Sequence, residues 1–384
     1  MPEKNKKTIC LNMIVKNENN VIERCLASVK HLIDAWVIVD TGSTDGTQHI
    51  IKEFLKEIPG ELHERPWVDF GHNRNEAMQL ARGKADYLLF IDADDRLVFS
   101  ENFQLPELEL DTYGIVQKEA YGSTFREHQN FFLIKNNDDF KWEGVLHESL
   151  SVRGQKSYQL ITGVFNEYIN DGHRSNDPDK ITKDIQVLKK AIQENPENSR
   201  YVFYLARTYW SIRDCRSAIT YFKQRAEMGG DPQEVYYSLL YIGLAQHFVG
   251  DPPETFIDSL YKAFLFRPTR SESLYEIGRY YAETNNFFLG YLIFKFILSM
   301  PMPSDFLFVE TWVHDWGALL YFFICADRIG KVDEAQMAHQ HLIHHPHLPL
   351  EVRNQFKVDQ WGARRERFNH NPFIDNELHI CEHS

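Results

Sequence analysis

Cysteine is scarce and scattered in this 384-residue chain. Cys10, Cys25, Cys215, Cys325 and Cys381 are odd in number and include no CxxC pair. That argues against a disulfide framework or a zinc ribbon, and a reducing, cytoplasmic compartment is expected. Basic charge is also in short supply: 42 Lys and Arg face 55 Asp and Glu, leaving −13. A general nucleic-acid binder and a polybasic membrane anchor are therefore not expected. No apolar run reaches the ~20 residues that a spanning helix needs. The longest, FFLGYLIFKFILSM (287–300) and WGALLYFFICA (316–326), read as buried helices, the first interrupted by Lys295. MPEKNKK is basic, but the CLNMIV behind it is too short for a signal peptide and runs into Lys16-Asn17-Glu18.

What is present is globular: 43% hydrophobic and 25% charged residues. The length implies at least two domains. To about residue 177 strand and helix signals alternate. TICLNMIV (8–15), AWVIVD (35–40) and DYLLFID (86–92) have strand length, and ELHERPW carries a short fourth. NVIERCLASVKHL (20–32), TQHIIKEFLKEI (47–58) and NRNEAMQLARG (73–83) have helical spacing. Such alternation predicts an α/β, Rossmann-like unit with a mostly parallel sheet, whose ligands bind beyond the strands' C-terminal ends.

From 178 to about 370 the pattern is all-α. Small residues recur twelve apart, at Ala206 and Ala218 and at Gly278 and Gly290, and Gly243 to Gly278 is a step of 35. This resembles tetratricopeptide repeats, paired helices packed through small residues. A generic helical bundle is the plainer alternative. Residues 371–384 lack periodicity and read as an irregular tail.

Polar groups gather at the strand ends. In VIVDTGSTDGT, Ser43, Thr44 and Asp45 can cap a helix, but capping does not explain Asp40 at the last strand position. In RPWVDFGHNRNEA, Asn73, Arg74 and Asn75 are expected to open a helix, where a guanidinium beside free N–H groups suits a diphosphate. FIDADDRL sets Asp92, Asp94 and Asp95 within four positions. Two carboxylates ~5 Å apart repel by roughly 3 kcal/mol at an effective dielectric near 20. In an extended chain Asp92 and Asp94 face one way and Asp95 the other, a pattern suited to Mg²⁺ or Mn²⁺. Alone, such a segment is usually a solvated turn. KWEGVLHESL adds Glu143, His147 and Glu148, and NDGHRSND adds His173. The five histidines of AHQHLIHHPH are less persuasive, because Pro346 breaks the helix that would align His341 with His345.

In this order, LNMIVKNE, IVDTGSTDGT, the W-x-D-F-x-x-x-RN-x-A segment and LLFIDADDRL resemble family 2 glycosyltransferases, inverting enzymes of the GT-A fold. The likeness covers about residues 8–175. Together with WEGVLHE, a following His and repeat-like helices, it is similar to transferases fused to tetratricopeptide repeats, some of which modify peptides or proteins. The resemblance implies a nucleoside-diphosphate sugar donor, typically a UDP-sugar, and Mn²⁺ or Mg²⁺. Val15, Glu18, Asp40, Ser43, Arg74, Asn75, Asp92 and Ala93 would then bind the donor, Asp40 through the ring N–H of the base. Asp94 and His173, with His147 as a second candidate, would be metal ligands. Family members place a catalytic base in an acidic pair, here replaced by His147-Glu148, so Glu148 is the first choice and Glu143 the runner-up. The helical half would hold an acceptor peptide, protein or glycan, or pair two copies. A catalytically inactive scaffold is the alternative. A nucleotidyltransferase is disfavoured because LNMIVKNENN lacks the glycine-rich loop expected after its first strand.

Overall fold

The first unit is built on a mixed sheet because two kinds of strand meet in it. β1 (Ile9–Val15), β2 (Ala35–Asp40) and β4 (Tyr87–Leu89) are short apolar runs, buried on both faces as strands covered by helices must be. β1 pairs in parallel with β2 and β4, and β2 with the edge strand β3 (Gly60–Glu64). The helices α1 (Ile22–Val29), α2 (Thr47–Phe54) and α3 (Phe70–Leu80) alternate with these strands. The sequence reading missed the other half of the sheet. β6 (Thr112–Tyr121) and β7 (Thr124–Lys135) form a long hairpin, β10 (Tyr158–Tyr168) runs parallel to β6, and β5 (Arg96–Phe99) closes the far edge. The order is β3-β2-β1-β4-β7-β6-β10-β5, and β8 (Phe140–Glu143) and β9 (Ser149–Val152) make a separate hairpin. This computed structural model describes residues 6–121, 124–305 and 307–356, so the tail expected at 371–384 lies outside the described residues.

Two local expectations are corrected. The third apolar strand does not continue to residue 92. It ends at Leu89, and residues 92–95 form a turn closed by the Asp95 N–H on the Asp92 carbonyl (3.1 Å). Nor do Asn73, Arg74 and Asn75 open their helix. Asp69 caps it by accepting from the His72 N–H (2.7 Å), so Arg74 lies in its second turn. The free N–H groups of that helix start are therefore not beside the guanidinium.

Contacts divide the chain into two compact units, Met1–Ala191 and Ile192–Ser384. The second is all helical: α5 (Ser199–Ser211), α6 (Cys215–Glu227), α7 (Pro232–Phe248), α8 (Pro253–Phe266), α9 (Glu272–Glu283), α10 (Phe287–Ile297), α11 (Ala318–Arg328), α12 (Val332–Ile343) and α13 (Leu350–Phe356), with α4 (Lys180–Glu194) leading into it. Each of α5 to α12 packs on the next, the layout of a tetratricopeptide-like array. The small residues seen in the sequence sit at the crossings. A Cβ on Gly243 would come within 2.6 Å of Leu260, one on Gly278 within 2.8 Å of Phe294, and one on Gly290 within 2.8 Å of the Cys325 sulfur. Burial pushes the Cys10 and Cys325 thiols up to about 12, so these behave as small packing residues. Of the two greasy segments expected to be buried, α11 is. α10 is buried on one side only, and Phe288, Leu292 and Phe296 are exposed. Among the described residues no helix is long and apolar enough to cross a membrane.

Because a Cβ on Gly290 would lie 2.8 Å from the Cys325 sulfur and 3.3 Å from the Gly278 carbonyl oxygen, Gly290→Val is expected to destabilise the helical unit by about 1–3 kcal/mol through overpacking. A lowered thermal midpoint with unchanged native helix content would show it. An unchanged midpoint would mean that the α9–α10–α11 contact is looser than described.

Candidate active site

The C-terminal ends of β1, β2 and β4 converge on one polar region. After β1 the chain turns sharply at Asn17, which has φ +58°. The Asn17 N–H donates to Ser43 Oγ (2.8 Å), and its Oδ1 accepts from the Thr44 N–H (2.8 Å). The Glu18 N–H donates to Thr47 Oγ1 (2.8 Å) and the Asn19 N–H to Asp45 Oδ2 (3.0 Å). Val15 contributes its carbonyl, which accepts from the Thr41 N–H (2.9 Å). The two loops are thus a single hydrogen-bonded rim.

Asp40 lies fully buried beneath this rim. Its Oδ1 accepts from the N–H groups of Gly42 (2.9 Å) and Ser43 (2.8 Å) and from the Gln48 amide (3.2 Å). Its Oδ2 has no hydrogen-bond partner. A buried carboxylate oxygen left without a donor is costly, and it marks a place where a ligand N–H or O–H would be favoured.

The turn at 92–95 sorts its three acids by environment. Asp95 is buried and bonded to the Asn166 amide (2.5 Å), and burial, with Asp92 next in weight, pushes its carboxyl up to about 8. Ala93 is buried. Asp92 is exposed and accepts from Arg74 Nη2 (2.6 Å). Asp94 is half-buried, and burial and the neighbouring Asp92 raise its carboxyl above the usual range. Its Oδ2 accepts from the Gly172 N–H (3.2 Å). A Cβ on Gly172 would sit 2.7 Å from that oxygen, so any side chain there would push the Asp94 carboxylate aside.

His173 follows immediately. Its N–H donates to Glu18 Oε2 (3.2 Å), and its Nε2 lies 3.5 Å from the Asn17 amide nitrogen. Burial, and then the nearby acids Asp94, Asp45 and Asp92, push Glu18 up to about 7 despite that N–H. Glu18, Asp94 and His173 are therefore brought together, from positions 155 residues apart in the case of Glu18 and His173.

Arg74 connects the turn to the β8–β9 loop. Nε donates to Glu148 Oε1 (2.6 Å) while Nη2 holds Asp92, and the guanidinium lies 5.1 Å from the Trp142 ring. Burial alone would lower its affinity for a proton, but Asp92 and Glu148 more than offset this and hold it above its ordinary value. Asn75 is differently occupied: its amide donates to the Gly71 and Trp142 carbonyls (2.7 Å each) and accepts from the Trp142 N–H (2.9 Å), fixing β8 against α3. Glu143 is exposed at the end of β8, 4.0 Å from Lys141. His147 is exposed on the same loop in a left-handed backbone conformation, φ +53°.

Sequence reasoning missed one pair. Arg24, on α1, grips Asp171 with both ends of its guanidinium (2.8 and 2.6 Å), and Nη2 also donates to the Asp94 carbonyl (2.5 Å). This ties the 171–173 segment to the 92–95 turn. No periodicity or motif reveals a pair 147 residues apart.

Residues 10–101 match the family model Glycosyl transferase family 2. The N-terminal unit carries a family 2 glycosyltransferase domain. A TPR repeat-containing protein of Synechococcus elongatus is 27% identical over 285 residues, 70% of this chain and 68% of that protein. The prophage-derived glycosyltransferase SunS of Bacillus subtilis is 25% identical over 229 residues, 56% of this chain, and the match spans about half of SunS (53%). An uncharacterized glycosyltransferase of Rickettsia prowazekii is 34% identical over 91 residues, 24% of this chain and 29% of that one. The crystal structure of S. aureus TarS 1–349 in complex with UDP-GlcNAc aligns at 13% identity over 64% of this chain and 93% of that chain, with a TM-score of 0.37, too distant to bear on fold or ligand.

In the glycosyltransferase domain, Gly172→Ala is expected to displace Asp94 and lower sugar transfer by roughly a hundredfold, the scale of a ~1 Å misplacement. Turnover would be measured together with far-UV circular dichroism. Unchanged turnover would show that the Asp94–Gly172 contact does not set the site.

Proposed function

We propose that this domain transfers a sugar, with inversion, from a nucleoside-diphosphate sugar with a uracil base to a hydroxyl or thiol of a peptide or protein, and that it uses Mn²⁺ or Mg²⁺. The observation carrying the proposal is a juxtaposition. The orphan oxygen of Asp40 and the Asp94–Glu18–His173 group lie at the same end of the parallel strands. A uracil ring N–H is a donor that Asp40 Oδ2 lacks, and Val15, Ser43 and Glu18 border the space where the nucleoside would lie. Asp92 and the Ala93 backbone would then lie beside the ribose.

The donor set fits a hard divalent ion shared with the substrate. Among the described residues no group of three or more His, Cys, Asp or Glu side chains is arranged to hold a metal ion. Asp94 and His173 offer one carboxylate oxygen and one imidazole nitrogen, with His147 the alternative nitrogen. Diphosphate oxygens and water would complete the shell, which is how Mg²⁺ sites at phosphates are commonly built. When bound, such an ion supplies positive charge to the departing diphosphate.

Arg74 gives the chain's own residues a part in this. It is shared between Asp92 on the donor side and Glu148. A diphosphate arriving near Asp92 competes for that cation, and its capture would free Glu148 Oε1 to take the proton of the acceptor. Glu143 is the second choice of base. It is more exposed and its contact with Lys141 is long.

Calorimetry of UDP with and without Mn²⁺ tests the donor reading. Asp94→Ala is expected to abolish metal-dependent binding and transfer in a folded protein. For Glu148→Gln the expectation is intact nucleotide binding with transfer lost. Full activity of the Asp94 variant would overturn the metal assignment, and the binding-without-transfer pattern in Glu143→Gln would move the base there. No UDP binding by the wild type in either condition would favour an inactive scaffold.

A further inference from the structure

The acid-rich end of the sheet has a cation beside it that the proposed mechanism does not use. After His173 the chain passes through consecutive turns into α4. The Asn176 N–H donates to the carbonyls of Gly172 (3.3 Å) and His173 (3.2 Å), the Asp177 N–H to that of Arg174 (3.2 Å), and the Lys180 N–H to that of Asp177 (3.0 Å). The start of α4 is thereby fixed to the segment whose Gly172 N–H holds Asp94. It belongs to the same compact unit, which runs to Ala191. Lys180 is the first residue of this helix.

The basic residues here differ in how they are occupied. Arg174 pairs with Asp184 and lies 5.0 Å from the Phe70 ring. Lys183 pairs with Asp177 (2.5 Å). Lys180 is half-buried, and among the described residues its ammonium forms no ion pair or hydrogen bond. Burial, and then the charge of Arg174, lower its affinity for a proton, while Asp184 and Asp94 act against this at longer range. The field of Asp94 thus reaches Lys180, which places it near the 92–95 turn. A half-buried cation without a partner is costly to a fold.

We propose that Lys180 binds the diphosphate of the sugar nucleotide from the side of α4. This rests on the donor reading given above and adds to it a residue beyond the matched family segment, 10–101. A diphosphate placed beside Glu18, Asp92 and Asp94 meets a repulsion that one divalent ion only partly offsets. An ammonium supplies further positive charge as a compact group with three donors, which can follow phosphate oxygens. The guanidiniums nearby are committed elsewhere: Arg74 to Asp92 and Glu148, and Arg24 to Asp171 and the Asp94 carbonyl.

Calorimetry and ligand-observed NMR of the full chain in Mg²⁺, with UDP and with uridine, test this in the wild type, Lys180→Met and Lys183→Met. Lys180→Met is expected to weaken UDP binding about tenfold, the scale of one charged hydrogen bond, and to leave uridine binding unchanged. Its thermal midpoint should hold or rise, because a poorly solvated charge is removed. Lys183→Met removes an equal charge already held by Asp177 and should leave UDP affinity unchanged. Unchanged UDP affinity in Lys180→Met overturns the proposal. So do equal losses of UDP and uridine with a lowered midpoint, the mark of a structural residue, and a tenfold loss in Lys183→Met, the mark of general charge. A wild type that binds uridine as tightly as UDP also overturns it and leaves the base site standing. A wild type that binds neither removes the donor reading as well.

Discussion

Two guanidinium groups hold the acidic end of the sheet together. Within a short reach lie Glu18, Asp92, Asp94, Asp95 and Asp171, and burial raises the proton affinity of Glu18, Asp94 and Asp95. Unbalanced, these acids would drive the loops apart or take up protons. Arg24 joins Asp171 to the Asp94 backbone, and Arg74 joins Asp92 to Glu148. Each spans segments that meet only in the folded chain. The position of the 92–95 turn, of His173 and of the β8–β9 loop therefore depends on these two cations.

The balance is incomplete in a way that matters. Both guanidiniums sit to the side of Asp94 and bind either its backbone or the neighbouring Asp92. The Asp94 carboxylate receives backbone N–H groups, its own and that of Gly172, and Glu18 receives the His173 N–H. Neutral N–H donors do not cancel carboxylate charge. Such a site would suit a cation that arrives with its ligand, which is the part the proposed divalent ion shared with a diphosphate would play. Asp40 has one buried oxygen without a hydrogen-bond donor, a place that a ligand N–H or O–H could fill.

Much of this was legible in the sequence for a simple reason. β1 and β2 are buried on both faces, so they had to be continuous apolar runs, and their ends had to be where the polar groups begin. Asp40 stood out because helix capping explained its neighbours but not itself. Legibility failed where long-range pairing decides the structure. β7 carries Arg126, Glu127, Gln129 and Asn130, a poor strand pattern, and is held by β4 on one side and β6 on the other. With β4 only three residues long, residues 92–95 become a turn. α3 starts at Phe70, ahead of the expected Asn73, and takes Gly71 into its first turn. In the first helical turn glycine costs little, and here it allows close approach to the Gly144 carbonyl, 2.7 Å from where a Cβ would lie.

The helical unit follows the same reasoning with the sign of the inference reversed. Its small residues were readable because a close helix crossing tolerates nothing larger, and Gly243, Gly278 and Gly290 each meet a partner that a Cβ would strike. The greasiness of α10 was misread because hydrophobicity reports how much of a helix must be covered, not what covers it. One side is satisfied by α9 and α11. The other presents Phe288, Leu292 and Phe296 to the outside, at an energetic cost a stable fold would not carry without return.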